Sequence, residues 1–262
     1  MHWAAALAGR AASALRIVWC RDGTGDDAYV VGDDLDAIAE GDISPIDAVA
    51  ASVRVNHPAL TVSTTVIAGS PRDVLRAHSQ DPDLLVVGHS HHPGAVRFWQ
   101  GTTTQWLSRH TDCPVVMVPT QTPPDAPTRV LVGVDGSAAS LAAAAWAADE
   151  AALVMCELVV LHAWESAYRA VDPASEQARD VTRLDAAGAL ARAVEVAREH
   201  TAGSVTSVLV ESRPAAALLD AARPGDIVVI GASGHGVVSA NLVGSTVNHL
   251  LDRSPVPVVV VR

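Results

Sequence analysis

Short runs of β-branched and aliphatic residues recur along the chain, each closed by glycine, aspartate or proline and followed by an alanine-rich or amphipathic stretch. The clearest is Arg129-Val130-Leu131-Val132-Gly133-Val134, ended by Asp135-Gly136-Ser137, after which Leu141 to Ala152 is dominated by alanine. A run that is apolar on both faces predicts a strand buried inside a parallel sheet. Leu158 to Leu161, Val205 to Val210, Asp226 to Ile230 and Val256 to Val261 predict strands of the same type. Between them the spacing predicts a helix from about Glu176 to His200, with Val181, Leu184, Ala187, Ala191 and Val194 on one stripe, and another around Ala215 to Ala222. Alternating strands and helices imply βαβ crossovers and a doubly wound parallel sheet. Ligands of such sheets sit beyond the carboxyl ends of the strands, where the strand order reverses.

The pattern occurs twice. Val86-Val87-Gly88 matches Val229-Ile230-Gly231 and Gly101-Thr102 matches Gly244-Ser245, at one offset, 231 − 88 = 143 and 244 − 101 = 143. The same shift carries Trp3 onto Trp146, Val62 onto Val205, Pro71 onto Pro214, Asp83 onto Asp226 and Pro114 onto Pro257. Two equivalent domains follow, residues 1–120 and 128–262, and the prolines of 121–127 between them predict a stiff, extended connector. The strands expected at the end of each repeat, Cys113 to Val118 and Val256 to Val261, are apolar enough to pair the two domains or two protomers, since a bare apolar edge aggregates. A homodimer or an intrachain pseudo-dimer is expected.

Composition narrows the chemistry. The 262 residues carry 18 cations and 29 anions, a net charge of −11, and every cation is arginine. An acidic chain with no clustered cations is a poor partner for nucleic acid or anionic lipid. The absence of lysine excludes a P-loop, a kinase-type lysine and Schiff-base chemistry. Three scattered cysteines, Cys20, Cys113 and Cys156, predict neither a disulfide scaffold nor a zinc site, and no stretch approaches the roughly 20 apolar residues of a membrane span. A cytoplasmic protein is expected.

The candidate chemistry lies at the predicted strand ends. Gly231-Ala232-Ser233-Gly234-His235-Gly236 follows one strand, nine residues separate Gly234 from Gly244, and Ser245-Thr246 then open a helix. Glycines allow backbone N–H groups to approach a ligand closely, and a helix start adds hydroxyls and a positive dipole end, so the pattern suits a phosphate without lysine. As plain structure the same residues are a tight turn and a helix cap.

The spacing Gly231-x-x-Gly234, nine residues, Gly244-Ser245, joined to an upstream strand ending in Asp135-Gly136-Ser137, resembles the ATP-binding pattern of the universal stress protein family, over nearly the whole chain. The resemblance implies an α/β fold of two tandem doubly wound, Rossmann-like domains, with ATP and accompanying Mg²⁺ as ligands. It places Asp135 near ribose and adenine and the main chain of Ala163 against adenine. Gly231, Gly234, Gly244 and Ser245 would hold the phosphates, with Ser233 and Thr246 as neighbours. It implies a nucleotide-responsive stress regulator or protectant, not an enzyme beyond slow ATP hydrolysis, read by an unidentified regulatory protein.

The first repeat departs from the pattern. Its loop is Gly88-His89-Ser90-His91-His92-Pro93-Gly94, with His91 in place of the second glycine, and nothing in the chain corresponds to Val130 through Ser137. The first domain is therefore expected to lack its opening strand and to bind nucleotide poorly or not at all. Either the chain given begins inside a longer one, as the uncapped helix at Trp3 suggests, or the first half is degenerate and another segment closes the gap. The histidine cluster does not form a metal site on this reading, because no carboxylate or cysteine accompanies it. Trp99 and Trp106 flank Gly101-Thr102 and could fill the space a nucleotide needs. Two other functions fit the same fold: a module that acts through protein partners without nucleotide, and a nucleotidyl-transfer enzyme, for which the expected signature loops are absent.

Overall fold

The computed structural model describes residues 1–21, 45–80, 84–89, 102–123, 127–165, 173–234 and 245–262. The first half runs α1 (His2–Arg10), β1 (Leu15–Arg21), α2 (Pro45–Asn56), β2 (Val62–Ala68), α3 (Pro71–Ala77), β3 (Leu85–His89), α4 (Thr102–His110) and β4 (Val115–Pro119). The second runs β5 (Arg129–Val134), α5 (Ala138–Val154), β6 (Glu157–Trp164), α6 (Pro173–His200), β7 (Val205–Glu211), α7 (Pro214–Ala221), β8 (Asp226–Gly231), α8 (Ser245–Arg253) and β9 (Val258–Val261). Only the second half opens with a strand, as the repeat requires.

Seven strands form one sheet in the order β3-β4-β9-β8-β5-β6-β7, and β1 and β2 form a separate parallel pair. Within the large sheet every neighbour is parallel except β4 and β9, which meet antiparallel and join the two halves. At that seam Val116 faces Val259, its own counterpart, since 259 − 116 = 143. The local twofold of the repeat therefore passes through this pair. Among the described residues no strand lies between β1 and β3, where an opening strand of the first half would stand.

The apolar runs are strands because both faces are covered. One layer buries Val130, Val132, Leu158 and Val160 beneath Ala143, Ala144 and Ala147 of α5 and Leu190 and Val194 of α6, and Trp3 and Leu7 of α1 belong to the same cluster. The other buries Leu131, Val228 and Val258 beneath Leu218 of α7 and Val247 and Leu250 of α8. Alanine suits α5 twice over: it is the best helix former, and its small side chain lets the helix sit close to the strands. At the foot of the sheet Arg129 and Asp226 form a buried ion pair, bridging Nε to Oδ1 at 3.1 Å, while Arg129 Nη2 also donates to the Ala221 carbonyl at 2.7 Å. The hydrogen bonds that the guanidinium donates to Asp226 raise its affinity for its proton and hold it charged.

Two expectations need correction. The stripe predicted for α6 is displaced: Val181 and Leu184 are 55% and 71% exposed and Ala191 is exposed, whereas Ala186, Ala189, Leu190, Ala193, Val194 and Ala197 are buried. The helix has 28 residues, too many for one strand layer to cover, and its carboxyl-terminal half alone lies on the sheet. The strand expected from Val256 begins at Val258, because Pro257 has no N–H to give a ladder; its carbonyl instead accepts from Val228 N. Trp106 stacks on His110, its ring 4.2 Å away and 12° from parallel, with Arg72 of α3 over its face, so it serves the α3–α4 contact. Trp99 and His91 lie outside the described residues.

Candidate functional site

Strand register builds the site. Val134 of β5 pairs with His162 of β6, and Gly133 pairs with Ile230 of β8. The next residue on each strand is then Asp135, Ala163 and Gly231, with Asp135 and Ala163 side by side and Gly231 level with Val134. These three strands are adjacent in the order β8-β5-β6, and the chain leaves β5 toward β6 and β7 but returns to β8 on the other side. The predicted residues therefore meet at the point where the winding reverses, which is where a doubly wound sheet opens a crevice.

The turn after β5 is tightly organised. Asp135 Oδ1 accepts from Ser137 N at 2.9 Å and from Ser137 Oγ at 2.6 Å. Ser137 is the N-cap of α5, its Oγ accepting from Ser140 N at 3.3 Å, and Gly136 turns with φ +84° and donates to Ser140 Oγ at 3.1 Å. The aspartate is thus a helix-capping turn residue whatever else it does.

Gly231 is required by contact. A Cβ there would stand 2.8 Å from the Ala139 carbonyl carbon and oxygen and 2.9 Å from Ser140 N, so only glycine lets the first turn of α5 lie against the end of β8. Gly234 is required by Asp135: a Cβ would stand 2.4 Å from Oδ2. Ser233 is exposed, and its carbonyl lies 3.4 Å from Ser137 Oγ, linking the two loops. Five predicted residues, Asp135, Ala163, Gly231, Ser233 and Gly234, consequently share one corner. Ser245 and Thr246 open α8 as predicted, exposed and half-buried respectively, at the far end of the loop that leaves β8. Gly244 and His235 lie outside the described residues.

One neighbour was missed by sequence reasoning. Arg192 of α6 reaches the turn, its Nη2 3.2 Å from the position a Cβ on Gly136 would take. It brings a cation to the carboxyl edge beside Asp135. No local motif marks it, because its place depends on how α6 crosses α5. Further out, Arg179 of α6 pairs with Glu211 at the end of β7 and lies over the Trp164 ring at the end of β6, 5.9 Å from its centroid.

In the first half, no atom of the described residues lies within 4 Å of where a Cβ on Gly88, the counterpart of Gly231, would be. The side chain of His89, and His91 and His92 entirely, lie outside the described residues. Among the described residues no three His, Cys, Asp or Glu side chains converge on a point, and no helix is long and apolar enough to cross a membrane.

The sequence profile of the universal stress protein family matches residues 1–119 and 127–262. Universal stress protein Rv2623 of Mycobacterium tuberculosis is 34% identical over 226 residues, which cover 81% of this chain and 71% of that protein. Universal stress protein Mb2028c of Mycobacterium bovis is 30% identical over 211 residues, covering 78% and 70%. Among solved structures a universal stress protein of Archaeoglobus fulgidus matches 99% of this chain and 91% of its own with a TM-score of 0.64 at 18% identity, a likeness of fold. With a doubly matched profile and a sheet that reverses where its motif lies, the chain belongs to the universal stress protein family.

Proposed function

We propose that the second half, residues 128–262, binds ATP at the corner formed by β5, β6 and β8, and that the protein is a nucleotide-responsive regulator or protectant. The observation that carries this reading is the convergence of Asp135, Ala163 and Gly231 on three adjacent strand ends, with Gly234 packed against Asp135. Asp135 would accept from ribose hydroxyls, the main chain at Ala163 would face adenine, and the glycine loop and the start of α8 would present N–H groups and the hydroxyls of Ser245 and Thr246 to phosphate. With no convergent set of acidic side chains among the described residues, Mg²⁺ would be held through phosphate oxygens and water.

Binding, with at most slow ATP hydrolysis, is the function on this reading. A cytoplasmic site of action, residues 1–120 and 128–262 as the two domains, and a regulatory protein that reads the bound state belong to the same proposal.

The test is to denature the purified protein, chromatograph the released small molecules, and titrate the emptied protein with ATP and Mg²⁺. The parent is expected to release or bind adenine nucleotide. Gly234→Asp should lose it, by placing a carboxylate against Asp135. Asp135→Asn keeps the oxygen that caps Ser137, so it should fold as the parent does yet bind ATP at least about ten-fold more weakly, as loss of a charged hydrogen bond predicts. No nucleotide released and none bound by the parent would overturn the proposal in favour of a protein-interaction module.

A further inference from the structure

A nucleotide at the corner of β5, β6 and β8 leaves a charge unanswered. A nucleoside triphosphate brings several negative charges to a place that already holds the Asp135 carboxylate, on a chain whose net charge is −11. Like charges brought together at a protein surface repel. The segments assigned to the ligand supply no fixed cation, since Gly231 to Thr246 contains neither arginine nor lysine, and α5 contains neither.

One cation reaches the corner from another element. Helix α6 leaves β6 at the carboxyl edge of the sheet and runs back along it, and side chains tilt toward the amino end of a helix, so Arg192 is directed to that edge. Its Nη1 lies 3.7 Å from where a Cβ on Gly188 would be, one turn back, and its Nη2 lies 3.2 Å from where a Cβ on Gly136 would be, next to Asp135. The backbone beneath is firmly seated: Ala189 and Ala193 are buried, and Ala189 Cβ lies 2.9 Å from the same point on Gly136. The guanidinium itself is uncommitted. Arg192 is exposed and forms no ion pair among the described residues, whereas Arg179 and Arg213 near the same edge are paired with Glu211 and Glu165.

The repeat supplies an internal comparison. Helix α2 matches the carboxyl-terminal half of α6 at the same offset, with His57 answering His200 and Ala50 answering Ala193, both alanines fully buried. The counterpart of Arg192 is Val49, since 192 − 143 = 49, and Val49 packs against the cluster of Ile17, Ile46 and Ala50. The arginine accompanies the loop with both glycines, and an aliphatic residue stands in the half whose loop has His91 in place of the second.

We infer that Arg192 is the counter-ion of the bound nucleotide: its guanidinium pairs with a phosphate beside the ribose and so lets the Asp135 carboxylate share its corner with an anionic ligand. This rests on the reading of the corner as a nucleotide site and adds to it a residue that selects the phosphorylated ligand by charge.

The test is titration of the nucleotide-free full chain with ATP and Mg²⁺, as the parent, Arg192→Met and Arg192→Lys, at low and at high NaCl. At low salt the methionine variant should bind about ten-fold more weakly and the lysine variant much nearer the parent, as loss and retention of a charge-assisted bond predict. At high salt, where the charge is screened, the gap between parent and methionine variant should close. Both variants should melt with the parent, because the side chain is exposed. If the methionine variant does not fold, Arg192→Gln takes its place in the same comparison. ATP bound as tightly without the arginine as with it, a gap that is the same at every salt, or a lysine variant as weak as the methionine one would overturn the role of Arg192 and leave the nucleotide site standing. No ATP bound by the parent at either salt would overturn both.

Discussion

Two glycines at equivalent positions live in different surroundings. Gly231 touches the first turn of α5, whereas among the described residues no atom lies within 4 Å of where a Cβ on Gly88 would be. Gly231→Ala is expected to lower stability by about 1–3 kcal/mol, since the contact is backbone and must shift, while Gly88→Ala should stay within about 0.5 kcal/mol. Urea unfolding of the two variants beside the parent checks this, and equal costs would contradict it. Gly231 and Gly234 stood out by their spacing and Asp135 through the resemblance to the family, and the three meet because a motif written at strand ends converges once strand register is imposed. What spacing could not show is that Gly231 serves helix packing and Gly234 clears Asp135, since each depends on a segment about a hundred residues away. Arg192 was illegible for the same reason.

Among the elements, α6 shows where periodicity misleads. Val181, Leu184, Ala187, Ala191 and Val194 do fall on a helical stripe, but the stripe that meets the sheet runs through Ala186, Ala189, Leu190, Ala193 and Ala197. A helix of 28 residues is about 42 Å long, roughly twice the length of the strands beneath it. Its amino-terminal half extends past the carboxyl ends of β6 and β7, where Arg179 meets Glu211 and Trp164. Alanines are too uniform along α6 to reveal which turn enters the core. Leu184→Ser and Val181→Ser should therefore leave the thermal midpoint nearly unchanged, whereas Leu190→Ala should cost about 2–5 kcal/mol. A loss at Leu184 comparable with that at Leu190 would refute the assignment of faces. The strands, by contrast, were mostly read to within two residues, β6 excepted, whose expected run Leu158–Leu161 is half of Glu157–Trp164, because an unbroken apolar run can satisfy its backbone only inside a covered sheet.

Across the whole molecule, the halves are held by the β4–β9 seam and by α1 against the shared core, and the second contact carries a charge problem. Glu150 of α5 is 7% exposed, and burial raises its pKa above the ordinary carboxylate range, offset in part by Arg10 of α1. A carboxyl group whose folded pKa is raised favours folding while protonated, and that contribution fades as pH climbs through the folded value. The parent should therefore lose stability on this account as pH rises from the ordinary carboxylate range toward neutrality. Glu150→Gln should be the more stable protein near pH 7 and should converge with the parent in acid. Melting curves across that range test it, and a constant difference at every pH would not fit. The repeat and its offset were legible in sequence, but the separate β1–β2 pair and the self-pairing of Val116 with Val259 required the assembled fold.

That antiparallel seam has a directional result. Parallel strands share one carboxyl edge, so β5 to β9 end on one side of the large sheet and β3 and β4 end on the other. The corner around Asp135 and its counterpart at Gly88 thus lie on opposite edges of the sheet. Captured on a bead by the edge near Asp135, the molecule would present the Gly88 edge outward. Any signal that must be read at both edges needs two readers, or one long enough to wrap the sheet.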